Sequence, residues 1–193
     1  MKNNTMISSF LNSFDIFTPT EIAAFEEKTA LRSIKKGDFL IQEGQLCKEV
    51  AFLKTGILRS FFSPESGEEI TYCITFPNTL TTAYSSFITG LPTLENIQAV
   101  SAAELIVIQK ADLDQLSQSS LNWTRFLKMI AEQQYLELEK RLFLFQKEKA
   151  KKRYMDLLEN QPVYVQQIPL QYLASYLGIT PRHLSRLRRE VVL

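Results

Sequence analysis

The 193-residue chain has two cysteines, Cys47 and Cys73, and one histidine, His183. Two thiols exclude a disulfide framework and a four-thiolate metal site, and a single imidazole excludes a His-rich metal cage. No Lys or Arg occurs between Arg59 and Lys110. No apolar run approaches the roughly 18–20 residues that a membrane helix needs. The opening MKNNTMISSFLNSF lacks the apolar stretch and small-residue cleavage site of a secretory leader, so a cytoplasmic protein with no membrane partner is expected. There is no Gly-rich phosphate loop, no His-based triad and no metal cluster. A chain without these is not expected to be an enzyme or to carry a cofactor or metal.

Composition is otherwise ordinary, 45% apolar and 22% charged, and the length suits one large domain or a medium one plus a small one. The net charge of +1 hides a division. Residues 140–193 hold 11 Lys and Arg against 4 Asp and Glu, a net +7, and residues 1–139 hold 11 against 17, a net −6. A basic C-terminal part suggests an anionic partner such as nucleic acid, with a solvated lysine-rich helix as the alternative.

Thr18, Pro19 and Glu21 have the spacing of a capping box with proline in the first turn, which predicts a helix to about Lys28. From Leu31 the pattern becomes β-like. LRSI, DFLIQEG, VAFLKTGILRSFF, EEITYCITF, IQAV and ELIVIQ are short runs rich in branched and aromatic residues, separated by Gly37, Gly44, Gly56, Gly67 and Pro77. They predict an all-β sandwich or barrel-like roll, interrupted by a short helix or turn at TTAYSSFITG. Helical patterning then takes over: a short helix from Asp112 to about Gln118, and a long one capped by Asn122 and reaching about Lys147. Leu127, Ile130, Leu138, Leu142 and Phe145 recur along it at near-heptad spacing, broken by Gln134. Such a stripe must be covered, by the chain's own core or, as favoured here, by the same helix of a second subunit. Residues 148–160 predict a further basic amphipathic helix with Tyr154, Leu157 and Leu158 inward, ended by Asn160-Gln161-Pro162. A buried structural role is the expectation for both cysteines.

The most informative stretch is IPLQYLASYLGITPRHLSRLRREV, residues 168–191. Leu170, Leu173, Ala174 and Leu177 lie on one helical face after Pro169. Gly178 suits the left-handed residue that ends a helix, and Thr180-Pro181 suits the cap and first position of the next. Two short helices about a Gly-containing turn make a helix-turn-helix. On the second helix Leu184, Leu187 and Val191 fall together, and Arg182, Ser185, Arg186 and Arg189 cluster opposite them. A row of guanidiniums and a hydroxyl fits the DNA major groove, where Arg grips guanine O6 and N7. Thr180, Pro181 and Arg182 form a helix start whose free N–H groups, Pro181 itself having none, favour phosphate. His183 lies to the side of both faces, as a phosphate contact or a plain surface residue.

With these motifs the chain resembles the cyclic AMP receptor protein/FNR superfamily of bacterial transcription factors. KKGDFLIQEG and VAFLKTGILRSFF look like its β-roll, and RYMDLLENQPVYVQQIPLQYLASYLGITPRHLSRLRR looks like the helix-turn-helix of a Bacteroidetes-type branch. The resemblance implies an α+β chain with an N-terminal cyclic-nucleotide-binding-like double-stranded β-roll, a long dimerisation helix, and a C-terminal helix-turn-helix that is winged-helix-like with the wing absent. The corresponding division is 1–120, 121–147 and 148–193. It implies a homodimeric regulator on double-stranded DNA with a pseudo-palindromic site, and RNA polymerase as a further candidate partner. Ser185 and Arg186 are the implied base readers, with Arg182 and Arg189 flanking them, Arg188 a backbone contact, and Thr180 and His183 completing the DNA-binding set.

Two departures qualify it. Members that bind cyclic AMP carry Gly-Glu and then Arg-Ser or Arg-Thr in a phosphate cassette. The corresponding FPNTLTTAYSSFITGLPTLENIQA has neither pair. A buried phosphate without a cation is costly, so no cyclic AMP binding is expected. Another effector near Tyr84, Ser86, Phe87, Glu95 and Asn96, or none, is the expectation. The sequence also stops after the reading helix, at Leu193, without the residues of a wing. A small-molecule sensor that acts through protein contacts, with a vestigial DNA module, is the competing function.

Overall fold

Helix α1 (Thr5–Asn12) opens the computed structural model, which describes residues 5–65 and 67–191. This helix was not among the expected elements, although Met6, Ile7, Phe10 and Leu11 recur at helical spacing: Ile7 and Leu11 are buried, and Met6 and Phe10 pack against the core. Residues 1–4, part of the segment tested for a leader, and 192–193, where a wing would follow, lie outside the described residues.

Helix α2 (Pro19–Glu27) starts as predicted. Thr18 and Glu21 form a reciprocal capping box, with the Thr18 N–H donating to the Glu21 carboxylate at 2.8 Å. The β-runs then fold as β1 (Thr29–Ile34), β2 (Phe39–Ile41), β3 (Glu49–Thr55), β4 (Leu58–Phe62) and β5 (Ile70–Thr75). After these come β6 (Thr79–Thr81), helix α3 (Tyr84–Thr89), β7 (Asn96–Ala99) and β8 (Ala103–Gln109). The polar three-residue β6 had no alternating pattern to reveal it. One sheet runs β1-β8-β3-β6 and the other β2-β7-β4-β5. Non-sequential neighbours in both sheets are what a double-stranded roll requires. Gly56 makes the β3–β4 turn with φ +90°, and a Cβ there would lie 2.7 Å from Ala103, so only glycine fits.

Helix α4 (Lys110–Ser119) begins slightly before its expected start. The long helix α5 (Leu121–Lys147) ends where expected, but its cap differs. Ser120, not Asn122, takes the capping role: its Oγ accepts the Asn122 N–H at 3.2 Å, while the Asn122 side chain donates to Glu21. Helix α6 (Ala150–Asn160) follows, with Tyr154 and Leu157 buried. Pro162 does not simply end it but opens a further short helix, α7 (Pro162–Gln167), in proline's favoured first position. Helices α8 (Leu170–Tyr176) and α9 (Pro181–Val191) complete the chain.

Two units result, residues 1–60 with 74–131, and residues 61–73 with 132–193. The long helix α5 contributes residues to both. In the first unit the core includes Phe52, Leu53, Leu58, Ile97, Leu105, Trp123 and Phe126. Phe25 stacks on Trp123 with centroids 5.2 Å apart, and Phe14 meets Phe126 edge-on at 4.9 Å. These rings bind the start of α5 to α2 and to the segment that follows α1. In the second unit Tyr154, Leu157, Ile168, Leu173, Ala174, Leu177, Leu184 and Leu187 are buried.

Candidate nucleic-acid interface and effector cavity

The turn between α8 and α9 is built from three local devices. Gly178 has φ +65°. Its N–H donates to the Ser175 carbonyl at 2.9 Å and the Ile179 N–H to the Ala174 carbonyl at 3.0 Å, the pairing of a Schellman end. Thr180 then caps α9, its Oγ1 accepting the His183 N–H at 3.2 Å. Behind the turn, Arg141 donates to the Tyr176 carbonyl at 2.9 Å and Arg153 to the Leu177 carbonyl at 2.9 Å. Both guanidiniums lie over the Phe145 ring, their carbons 4.8 Å and 4.6 Å from its centroid. Carbonyls left over at the end of α8 are thus met by cations, as the helix dipole favours. Burial and the neighbouring Arg141 charge make the Arg153 guanidinium less basic than usual.

This frame sets the faces of α9. Leu184 is fully buried and Leu187 is 3% exposed. The side chain of Val191 lies outside the described residues. Thr180, Arg182, Arg186 and Arg189 are exposed, and Ser185 and His183 are half-buried. Arg186 makes an ion pair with Glu190, one turn on, at 3.7 Å. Between two exposed side chains such a pair is weak and open to exchange. Arg188 stands apart from the other arginines. It is half-buried, donates to the Val165 carbonyl at 3.3 Å, and its Nε is buried without a hydrogen-bond partner. Reaching a phosphate would break that bond.

The heptad row divides. Leu127 and Ile130 pack on the core of the first unit, and Phe145 is taken up under the turn. Leu138 and Leu142 are 57% and 53% exposed, and Met129, Tyr135, Leu136 and Phe143 are exposed beside them. Met129, Leu136 and Phe143 are seven residues apart, a second row that the sequence reading missed because Lys140 and Glu132 interrupt it.

In the roll, a cavity of about 150 Å3 is lined by Leu40, Ile41, Cys47, Thr82, Ala83 and Ile97 among others. None of Tyr84, Ser86, Phe87, Glu95 or Asn96 lines it. Ser86 is buried, its Oγ accepting the Cys47 N–H at 2.9 Å and donating to the Leu91 carbonyl. Phe87 is buried under Lys110, whose Nζ is 4.4 Å from the ring centroid. Asn96 accepts the Glu43 N–H at 3.1 Å, Glu95 is half-buried and Tyr84 is exposed. The cassette segment has no cation of its own, but Lys48 lines the cavity and Lys110 reaches α3. Linear spacing hid both. Cys47 is buried as expected, 3.1 Å from Thr82 Oγ1. Cys73, on β5, is exposed instead. Arg59 is buried at 2% exposure with both Nε and Nη2 on the Gln98 carbonyl oxygen. Nothing in the sequence marks it, since it reads as one more polar residue in a strand. Among the described residues no cluster of His, Cys, Asp or Glu could hold a metal, and no helix is long and apolar enough to cross a membrane.

The fold is a double-stranded roll joined through a long helix to a helix-turn-helix. Residues 31–120 match the cyclic nucleotide-binding domain. Over most of its length the chain shares its fold with solved structures. It is similar to FixK2 of Bradyrhizobium japonicum, at 15% identity over 84% of each chain with a TM-score of 0.74. CLP, a c-di-GMP responsive global regulator of Xanthomonas campestris, matches at 16% identity over 90% of this chain and 91% of its own, with a TM-score of 0.71. A crp/fnr-family protein of Eubacterium rectale matches at 17% identity over 92% of this chain and 84% of its own, with a TM-score of 0.70. No curated protein matches the chain in sequence.

Proposed function

We propose that the chain is a homodimeric transcription regulator that reads double-stranded DNA with α9. One observation carries this: Arg182, Arg186 and Arg189 stand outward on a helix whose opposite side, Leu184 and Leu187, is buried. Such a helix offers cations to phosphates and bidentate donors to guanine, which together give affinity and sequence preference. Arg186 and Ser185 read bases, Arg182 and Arg189 flank them, and the Thr180 end of α9 takes a phosphate. The exposed row of α5 pairs with its copy in a second subunit. The two reading helices then address half-sites about one DNA turn apart. Lys151 and Lys152, exposed at the start of α6, add sequence-independent attraction.

The roll takes a small effector or none. Its cavity of about 150 Å3 is below the roughly 300–1,000 Å3 of ordinary ligand pockets, so a cyclic nucleotide does not fit there without rearrangement. Mobility shift with genomic fragments tests the proposal. Retention of a subset of fragments at moderate salt is expected, and absence of binding to every fragment even at low salt contradicts it. Arg186→Ala should lower the preference between fragments by about tenfold or more, as loss of one bidentate base contact does.

A further inference from the structure

After Glu159 the sequence carries four arginines, all on α9, and a single carboxylate, Glu190, on the same helix. A carboxylate on a helix that meets DNA is repelled by phosphate whatever the base sequence, so it lowers affinity for all DNA alike. Its placement decides what it gives in return.

Glu190 follows Arg186 by one turn, about 40° from it around the helix and about 100° from Arg189. Its Oε1 is 3.7 Å from Nε of Arg186, with the two side chains 47% and 65% exposed. Among the described residues this is the one ion pair that α9 makes. Arg188 is turned to the Val165 carbonyl. Glu190 thus selects one of the three outward arginines, the middle one along the helix.

Nε is the stem-side nitrogen of a guanidinium. A carboxylate there leaves Nη1 and Nη2 at the far end of the fork, where they can grip guanine O6 and N7 together. In water the pair is weak. In a groove, where both charges lose solvent, the attraction between them grows. An unheld Arg186 fork has a rival target, because phosphate oxygens also accept two parallel bonds and are present on every sequence. A carboxylate beside the stem opposes that swing toward phosphate and reduces the side-chain freedom lost when the fork meets a base.

We propose that Glu190 is a specificity-determining residue, which positions Arg186 for guanine and lowers its contact with phosphate. It weakens binding to every sequence and weakens the wrong ones most, the pattern by which repulsion creates discrimination. The role rests on the DNA-binding function proposed above.

Fluorescence anisotropy of the full chain tests it on two duplexes, one enriched by the wild-type protein from a random pool and one of random sequence. Their affinity ratio measures discrimination. Glu190→Gln should bind the random duplex about two- to fivefold tighter at low salt, gain little on the enriched one, and lose discrimination about threefold or more. Glu159→Gln, on α6, makes the same charge change and should keep the wild-type ratio. In an Arg186→Ala background Glu190→Gln should leave the ratio unmoved, since no fork remains to position. All three side chains are exposed, so the variants should fold, and melting temperatures check this. A wild-type ratio in Glu190→Gln overturns the positioning role and leaves DNA binding intact. So does an equal fall in the Arg186→Ala background, which would mean that Glu190 reads a base itself, as a carboxylate can read cytosine N4. Enrichment of no sequence by the wild type, or no binding even at low salt, overturns this role together with the function on which it rests.

Discussion

Single residues decide how firmly the turn before α9 is set. Gly178 and Gly44 both have positive φ, +65° and +84°, but their surroundings differ. A Cβ at Gly44 would meet nothing within 4 Å, whereas at Gly178 it would come 2.7 Å from the Phe145 ring. That ring is also in contact with the guanidiniums of Arg141 and Arg153, which would have to shift with it. Gly44→Ala should therefore cost only the backbone strain, about 1 kcal/mol, and Gly178→Ala clearly more, about 2–3 kcal/mol. Denaturant midpoints measure the difference, and equal midpoints would mean that the Phe145 contact yields freely. The need for glycine at 178 was legible in the sequence. The reason for the extra cost was not, because Phe145 is 33 residues away and looked like part of a dimer row.

Glu21 gives a prediction in pH. Hydrogen bonds from Ser120, from the Thr18 N–H and from Asn122 to its carboxylate outweigh a small desolvation and hold its pKa down at about 2. A carboxyl whose folded pKa lies below its unfolded value stabilises the fold above the unfolded pKa, and that contribution is lost as pH falls through the folded one. Wild type should therefore be more stable than Glu21→Gln near neutrality, and the gap should close between about pH 4.5 and pH 2. Melting temperatures of the two proteins across that range give the readout, and a gap independent of pH would contradict the assignment. The capping box itself was visible as Thr18-Pro19-Thr20-Glu21. The bonds from Ser120 and Asn122 were not, since they arrive from about 100 residues away.

At the scale of elements, patterns with a strong period were readable and short or polar ones were not. The roll's longer strands, the long helix and the two helices of the turn follow from alternation, length and caps. Helices α1 and α7 and strand β6 are short, and tertiary packing, not local preference, fixes them. The α5 row shows the limit of periodicity. Spacing alone could not separate Leu127, Ile130 and Phe145, which the chain covers itself, from Leu138 and Leu142, which it leaves exposed. If the exposed part pairs with a second subunit, Leu138→Glu with Leu142→Glu places like charges in the seam and should give monomers at micromolar concentration by analytical ultracentrifugation. A dimer that survives both changes would place the interface elsewhere. The same variants should weaken DNA binding far more than they lower the melting temperature, because each monomer keeps its own core but holds one half-site.

For the whole molecule, the division of charge and the helix-turn-helix were legible in the sequence from the start. What the roll senses was not. The residues proposed for an effector, Tyr84 to Asn96, do not line the roll's cavity, because that wall comes from β2, the segment before β3, and Thr82-Ala83. A sequence window around one cassette cannot show walls supplied by distant strands. Lys48 and Lys110 illustrate the same point, as cations brought by the fold to a stretch that has none.

The central claim is that α9 presents its arginines to DNA in pairs related by two-fold symmetry. Hydroxyl-radical footprinting on a fragment enriched from random duplexes by the full-length protein tests it most directly. Two protected half-sites of related sequence should appear, centred about one helical turn apart, and Arg186→Ala should blur the selected sequence while Lys151→Ala keeps it and lowers only the salt dependence. A chain that enriches no sequence, or one whose selected sequence is unchanged by Arg186→Ala, would contradict the claim.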